Sequence, residues 1–299
     1  MSPLKKIGAF TAALAAAFAA AYGVGSAVAP VDGGSTREAA HASMADGDGH
    51  AEQGPAAAHT PGGLQVSEGG YTLDLGTASL PAGTRTTLRF VVRDAEGAPV
   101  TAYRTEHGKQ LHLIVASREL TAYRHLHPTR AADGTWSTPV ELPEAGGYRV
   151  FADFTPAAAR EGLTLGSDLA VTGSYAAHAL PAPANTATVD GYTVRLDGTL
   201  TPGRESDLTF SVSRAGRPVT TLQPYLGAYG HLVALRSGDL AYLHVHPHEE
   251  AEGTAVPGPE VAFTATAPSP GTYRLFLDFK VGDRVHTAAF TATTTGHGH

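Results

Sequence analysis

The side chains in this chain that could do chemistry are histidines, and they recur at a fixed spacing. His112, His125 and His127 fall in the segment His112 to Pro128, HLIVASRELTAYRHLHP, and His231, His244 and His246 fall in His231 to Pro247, HLVALRSGDLAYLHVHP. Aligned without a gap, the two segments share seven of seventeen positions: three histidines, a Leu, an Ala-Tyr pair and the closing Pro. The apolar positions between them drift while the imidazoles keep their spacing, so the histidines are the candidates for a shared role. On a strand, residues i and i+2 face one side. His125 and His127 therefore project together, as do His244 and His246. The stretch between the leading His and the His-x-His suits two antiparallel strands joined by a short turn, with Ser237-Gly-Asp-Leu240 as the turn and Gly238 supplying its unusual backbone angles. His231 is then expected opposite His246, and three imidazoles converge in each copy.

A three-histidine nitrogen site with an open position suits Zn²⁺ or Cu²⁺, and the Irving–Williams order favours copper when both are available. The expectation is one metal site per copy, His112, His125 and His127 in the first and His231, His244 and His246 in the second, with Cu²⁺ as the ion and zinc as the alternative. Composition narrows the choice. The chain has no cysteine, which excludes disulfides, thiolate zinc sites, iron–sulfur clusters and blue copper, and its two methionines stand at positions 1 and 44. A net charge of −7 without a basic cluster argues against nucleic acid as a partner. Glu106 and His107 precede the first strand, where the second copy has Tyr225; His248 and Glu249 follow the second His-x-His only. Asp153 and Asp278 repeat, sharing a strand face with Arg149 and Arg274, which reads as a surface ion pair. The competing account is structural: histidines at strand ends can hydrogen-bond carbonyls or pack on Tyr123 or Tyr242 without metal, or form a pH-sensitive contact surface.

The elements that must position these side chains are strands. From Leu64 onward, short β-branched and aromatic runs alternate with Gly/Pro turns, in a chain with 35 Gly, 20 Pro and 16% charged residues. Thr86 to Arg93, Gln110 to Ser117, Tyr123 to His127, Gly134 to Pro139 and Tyr148 to Phe154 are expected strands, and Asp94 to Pro99 a turn. The plan then repeats: Gly70-Tyr71-Thr72 corresponds to Gly191-Tyr192-Thr193, and Tyr148-Arg-Val-Phe-Ala-Asp-Phe154 to Tyr273-Arg-Leu-Phe-Leu-Asp-Phe279. Each unit has about 105 residues, the size of one immunoglobulin-like sandwich. The fold class is all-β, two tandem immunoglobulin-like or cupredoxin-like sandwiches over 64–175 and 190–294, joined by a linker at 176–189. An N-terminal apolar helix precedes them. Lys5 and Lys6 before the uncharged run Ile7 to Val31 mark an exported chain, with 1–31 either a cleaved signal peptide or a retained membrane anchor. Residues 32–63 read as a disordered tether carrying His41, His50 and His59, and 295–299 as a tail carrying His297 and His299.

With Leu226-Gly-Ala-Tyr-Gly-His-Leu-Val-Ala-Leu-Arg-Ser-Gly-Asp-Leu-Ala-Tyr-Leu-His-Val-His-Pro247 and Glu106-His-Gly-Lys-Gln-Leu-His-Leu-Ile-Val-Ala-Ser117 in view, the chain resembles exported bacterial proteins, uncharacterised or copper-associated, that carry one or two such modules with an HLIVVS…HxHP segment. The resemblance covers about Gly69 to Thr294. It implies a β-sandwich, a cell-envelope location and, by association, a copper link, and it carries no catalytic residues over. No repeated general base stands beside the histidines and no nucleophile motif is present, so the expected activity is non-enzymatic: metal buffering, or hand-over to an envelope metal-handling partner. A pair of structural or adhesive modules is the alternative.

Overall fold

The computed structural model describes residues 60–248 and 257–294, without the side chain of His244. The segment 1–31, the tether histidines His41, His50 and His59, Glu249 and the tail histidines lie outside the described residues. Among the described residues no helix is long and apolar enough to cross a membrane.

The first module is a sandwich of two five-stranded sheets. Its strands are β1 (Ser67–Glu68), β2 (Tyr71–Leu75), β3 (Ser79–Pro81), β4 (Thr86–Arg93), β5 (Leu111–Ser117), β6 (Tyr123–Leu126), β7 (Thr129–Arg130), β8 (Trp136–Val140), β9 (Gly146–Phe154) and β10 (Leu163–Thr172). The sheets run β1-β2-β4-β8-β7 and β3-β10-β9-β5-β6. The second module contains β11 (Thr186–Val189), β12 (Tyr192–Asp197), β13 (Glu205–Arg214), β14 (Arg217–Pro218), β15 (Gly230–Arg236), β16 (His244–Pro247), β17 (Glu260–Thr266), β18 (Gly271–Val281) and β19 (Arg284–Thr294). Here β11-β12-β13-β17-β16 form one sheet, with β14 on β13, and β15-β18-β19 form the other. The five strands expected in the first module are β4, β5, β6, β8 and β9, with ends displaced by no more than two residues. Two departures concern the connectors. β11 begins inside the stretch read as linker, and the end of the tether is engaged: Gly62 bridges Tyr242 and the Gly63 amide donates to the Thr164 carbonyl at 2.7 Å.

Alternation explains which face of each strand is buried. In β4 and β13 every second residue is buried, as a strand with one wet face requires. β5 is buried at all seven positions. Leu111, Leu113 and Val115 enter the core of their own module, whereas Ile114 and Ala116 on the opposite face join Val233, Leu235, Leu240 and Phe276 of the second module. β15 divides in the same way, with Leu232 and Ala234 in its own core and Val233 and Leu235 facing across. The two modules thus dock through equivalent faces. Tyr123 stacks on Phe276 with centroids 4.0 Å apart, and in the reciprocal contact Tyr242 lies 5.9 Å from Phe151. Because Phe151 and Phe276 are equivalent in the repeat, as are Tyr123 and Tyr242, the contact is of the isologous type found in two-fold dimers.

This docking predicts cooperative unfolding. Phe276→Ala should cost about 3–5 kcal/mol. The single tryptophan, Trp136, sits in the first module, so urea curves followed by its fluorescence report that module, and far-UV circular dichroism reports both. The curves should coincide in the native chain and separate in the variant; coincidence in both would mean that the interface does not couple the modules.

Candidate metal centre

Parity carries the histidines to the module interface. His112 lies on the same face of β5 as Ile114 and Ala116, and His125 on the same face of β6 as Tyr123. The β5–β6 register pairs Ile114 with His125 and Leu113 with Leu126, which sets His112 across from His127 one step further on. Nitrogens of His112, His125 and His127 all lie within 4.8 Å of one another, the first triad as expected from its spacing.

The second triad cannot be compared in full, since the side chain of His244 lies outside the described residues, but its backbone pairs differently. The hairpin begins in the expected register, with a Leu235–Tyr242 bridge and the Leu243 amide donating to the Ala234 carbonyl at 2.9 Å. The chain then leaves β15. β16 pairs instead with β17, placing His246 beside Thr264, because Val245 turns inward against the core of the second module and its strand finds backbone partners on that sheet. His231 therefore joins the first cluster rather than His246: its ring stacks on His112 at 5.4 Å and 10°, and lies 4.7 Å from His125. His246 and His231 both line a cavity of about 690 Å³ that also reaches His107, His112, Glu106 and Asp153. His248 is occupied by Thr264 at 2.7 Å and Asp207 at 3.2 Å.

The repeated acids behave differently from the expected surface ion pairs. Arg149 donates to the carbonyls of Gly63, Leu64 and Gly166 and pairs with Asp168 at 2.7 Å, and Arg274 donates to Thr291 at 2.8 Å. Arg149 thus takes Asp168 rather than Asp153, and Arg274 takes Thr291 rather than Asp278. Asp278 points across the interface and accepts from His125 Nδ1 at 2.8 Å, with both side chains only 2–3% exposed; its other oxygen accepts from the Thr287 hydroxyl at 2.5 Å. Asp153 accepts from Thr164 at 3.2 Å, and burial raises its carboxyl from 3.8 to about 6.

Two residues flanking the strands complete the walls. Glu106-His-Gly-Lys109 and Tyr225-Leu-Gly-Ala228 are equivalent tight hairpins, each with positive φ at both central residues: His107 and Gly108, Leu226 and Gly227. That is the two-residue turn that matches strand twist. The turns bring the His107 ring to 6.2 Å from His112, and the Tyr225 ring to 6.0 Å from His127 and 6.4 Å from His125. Asp278 and Tyr225 are the neighbours of the triad that spacing alone did not place there. The available signal was parity, since Asp278 shares a face with Phe276, two residues away.

His112 Nε2 lies 3.3 Å from the Glu106 carbonyl, which can only accept, so that nitrogen carries the proton. His125 Nδ1 donates to Asp278. The remaining nitrogens, His112 Nδ1 and His125 Nε2, face each other 3.2 Å apart, and with both rings neutral they present two lone pairs. Two ligands on one tetrahedral ion with bonds of about 2.1 Å sit about 3.4 Å apart. His127 Nε2 is buried and has no hydrogen-bond partner. An orphaned nitrogen beside two facing lone pairs fits a cation held among the three rings. Burial and the neighbouring His125 lower His112 from 6.5 to about 4 and His127 to about 3, and push His231 well below 6.5. Neutral imidazole is the form that binds metal.

A family model described as a domain of unknown function, DUF8832, matches residues 65–164 and again 187–296, and the chain therefore belongs to that family. No curated protein matches. Among solved structures the chain is similar to FdeC, an Escherichia coli adhesin, at 18% identity over 77% of this chain and 65% of that one, with a TM-score of 0.25. It is also similar to invasin, titled a bacterial integrin-binding protein, at 15% identity over 77% of this chain and 41% of that one, TM-score 0.24. Domains 4 and 5 of the S-layer protein SbsC give 13% identity over 78% and 100%, TM-score 0.23.

A pH dependence follows for the metal-free protein. His112, His127 and His231 hold protons more weakly folded than unfolded, so between about pH 4 and 6.5 the unfolded chain binds more protons and stability falls as pH falls. Asp153 acts in the opposite direction between 3.8 and about 6, being protonated more readily when folded. Three imidazoles outweigh one carboxyl. The melting temperature of chelator-treated protein should drop from pH 7 to pH 4.5, and His127→Gln should flatten the drop; a profile that is level or rises on acidification contradicts the assignment.

Proposed function

Taking the chain as a two-copy member of its family, we propose that it is a non-enzymatic metal-binding protein of the cell envelope that holds one divalent transition-metal ion, Cu²⁺ or Zn²⁺, among His112, His125 and His127. The observation that carries this reading is the pair of imidazole nitrogens facing each other at 3.2 Å with both protons committed elsewhere. Such a pair repels unless a cation lies between them. The orphaned His127 Nε2 supplies the third donor, and Asp278 behind His125 is the carboxylate that typically orients a metal-bound imidazole. The nitrogen set and the absence of cysteine suit Cu²⁺ first and Zn²⁺ second. Envelope location is supported by Lys5 and Lys6 ahead of the apolar run. An ion held by three neutral imidazoles beside an open cavity suits buffering or hand-over to a metal-handling partner.

The second reading uses a proton in place of the metal. With a proton on His125 Nε2, His125 donates to both His112 and Asp278, and the histidines brace the docked modules as a buried ion pair. The His125–Asp278 distance of 2.8 Å favours this reading, in which the protein is a rigid structural or interaction unit.

The two readings separate in one experiment. The full chain, with the tether and tail histidines changed to Gln, is titrated with Cu²⁺ and Zn²⁺ in the presence of a weak competing chelator. Under the metal reading, one tight equivalent binds with nitrogen hyperfine structure in the copper resonance, and the double change His125→Gln with His127→Gln removes it while the fold is retained. Retention of the tight equivalent in that variant overturns the site. An absence of tight binding in the parent, together with a melting temperature lowered by His125→Gln whether or not chelator is present, selects the proton.

A further inference from the structure

The three candidate ligands all belong to the first module, yet the group that orients one of them belongs to the second. Asp278 sits on β18, directly across from His231 on β15, and reaches over the interface to His125 Nδ1 at 2.8 Å. Its carboxylate is itself held by Thr287, which leaves little freedom for any other partner. The equivalent acid of the first module, Asp153, is engaged by Thr164 of its own sandwich. The second module also supplies the ring that stacks on His112, His231, and the ring against His127, Tyr225. Removing the second module would therefore leave His125 free to rotate about its side-chain torsions and would expose both stacked imidazoles to water.

We propose that Asp278 is the positioning residue of the metal site, so that ion binding in the first module and docking of the second are one coupled equilibrium. This rests on the metal reading above. With Asp278 in place, His125 is locked in the tautomer that presents Nε2, and the charge behind the ring raises its basicity toward the ion; outer carboxylates of this kind are worth 10–100-fold in metal affinity. The coupling is reciprocal by linkage. Whatever factor docking adds to the affinity, the bound ion adds to docking.

The test uses the full chain with the tether and tail histidines changed to Gln, titrated with Cu²⁺ and with Zn²⁺. Asp278→Asn should weaken binding by about 10–100-fold and shift the copper resonance parameters, and Asp278→Glu should restore part of both. A purely structural role would lower the melting temperature without altering the spectrum of the copper that still binds. A second variant loosens the interface from a distance: Leu235→Ala lies in the shared apolar layer, four residues along β15 from His231, about 13 Å away at strand rise. It should weaken binding without altering the spectrum at saturation, and bound metal should raise its melting temperature more than that of the parent. Melting curves establish that each variant is folded at the temperature of titration. Unchanged affinity and spectrum in Asp278→Asn, with one tight equivalent in the parent, overturn the coupling and leave the metal site standing. Two tight equivalents overturn the shared site. No tight equivalent in the parent overturns the metal reading itself.

Discussion

The constraint on which the arrangement depends is that β5 and β15 have no wet face. A strand in a sandwich ordinarily buries every second residue and leaves the others to water. Here the alternate residues of both strands are apolar as well, and burying them requires a second sandwich rather than solvent. Ile114, Ala116, Phe151 and Tyr123 supply one half of that layer, and Val233, Leu235 and Phe276 the other. Once this layer forms, the registers of β5, β9, β15 and β18 leave no choice for residues two steps along. His112, Asp153, His231 and Asp278 are carried to the same buried boundary by the pleat alone.

Polar groups delivered to such a boundary must satisfy one another, because an unpaired buried donor or acceptor costs about 1–3 kcal/mol. Asp278 meets this requirement through His125 and Thr287, and Asp153 through Thr164. The imidazoles do not close among themselves. Each neutral ring offers one proton and one lone pair, and with two protons directed outward to Glu106 and Asp278 the inner nitrogens are left as acceptors facing acceptors. The deficit is one positive charge. A proton or a metal ion supplies it; a single proton bridges two rings, whereas the third nitrogen, His127 Nε2, has no hydrogen-bond partner.

Much of this was legible in the sequence. The repeat, the all-β class and the grouping of His112, His125 and His127 followed from spacing, because a hairpin with a short turn converts sequence separation into cross-strand proximity. The strand pairing departs from local symmetry. The same spacing in the second copy was expected to gather His231 and His246, and the register did start correctly at Leu235 and Tyr242. Spacing fixes which residues would be opposite if pairing continued; it cannot say on which sheet the next strand finds its partners. The ion pairs assigned to Arg149 and Arg274 failed for a related reason. Around Arg149, carbonyls of the entering chain, Gly63 and Leu64, take guanidinium donors, and Arg274 donates to the Thr291 hydroxyl instead.

Two copies of one pattern thus give unequal halves of one site. Equivalent faces in an isologous contact would place equivalent groups symmetrically, and the aromatic pairs Tyr123–Phe276 and Phe151–Tyr242 obey that rule. The histidine end departs from it. β6 stays beside β5 long enough to hold His125 and His127 over His112, while β16 has already crossed to β17. The turn before β5 offers His107, whereas its counterpart offers Tyr225, whose ring closes over the first module's histidines. Among the described residues His112, His125 and His127 gather on one module, and the carboxylate that holds His125 stands on the other. Under the proposed coupling, a site divided in this way is complete only while the modules are docked, so the apolar layer that joins them and the nitrogens at its edge act as one unit.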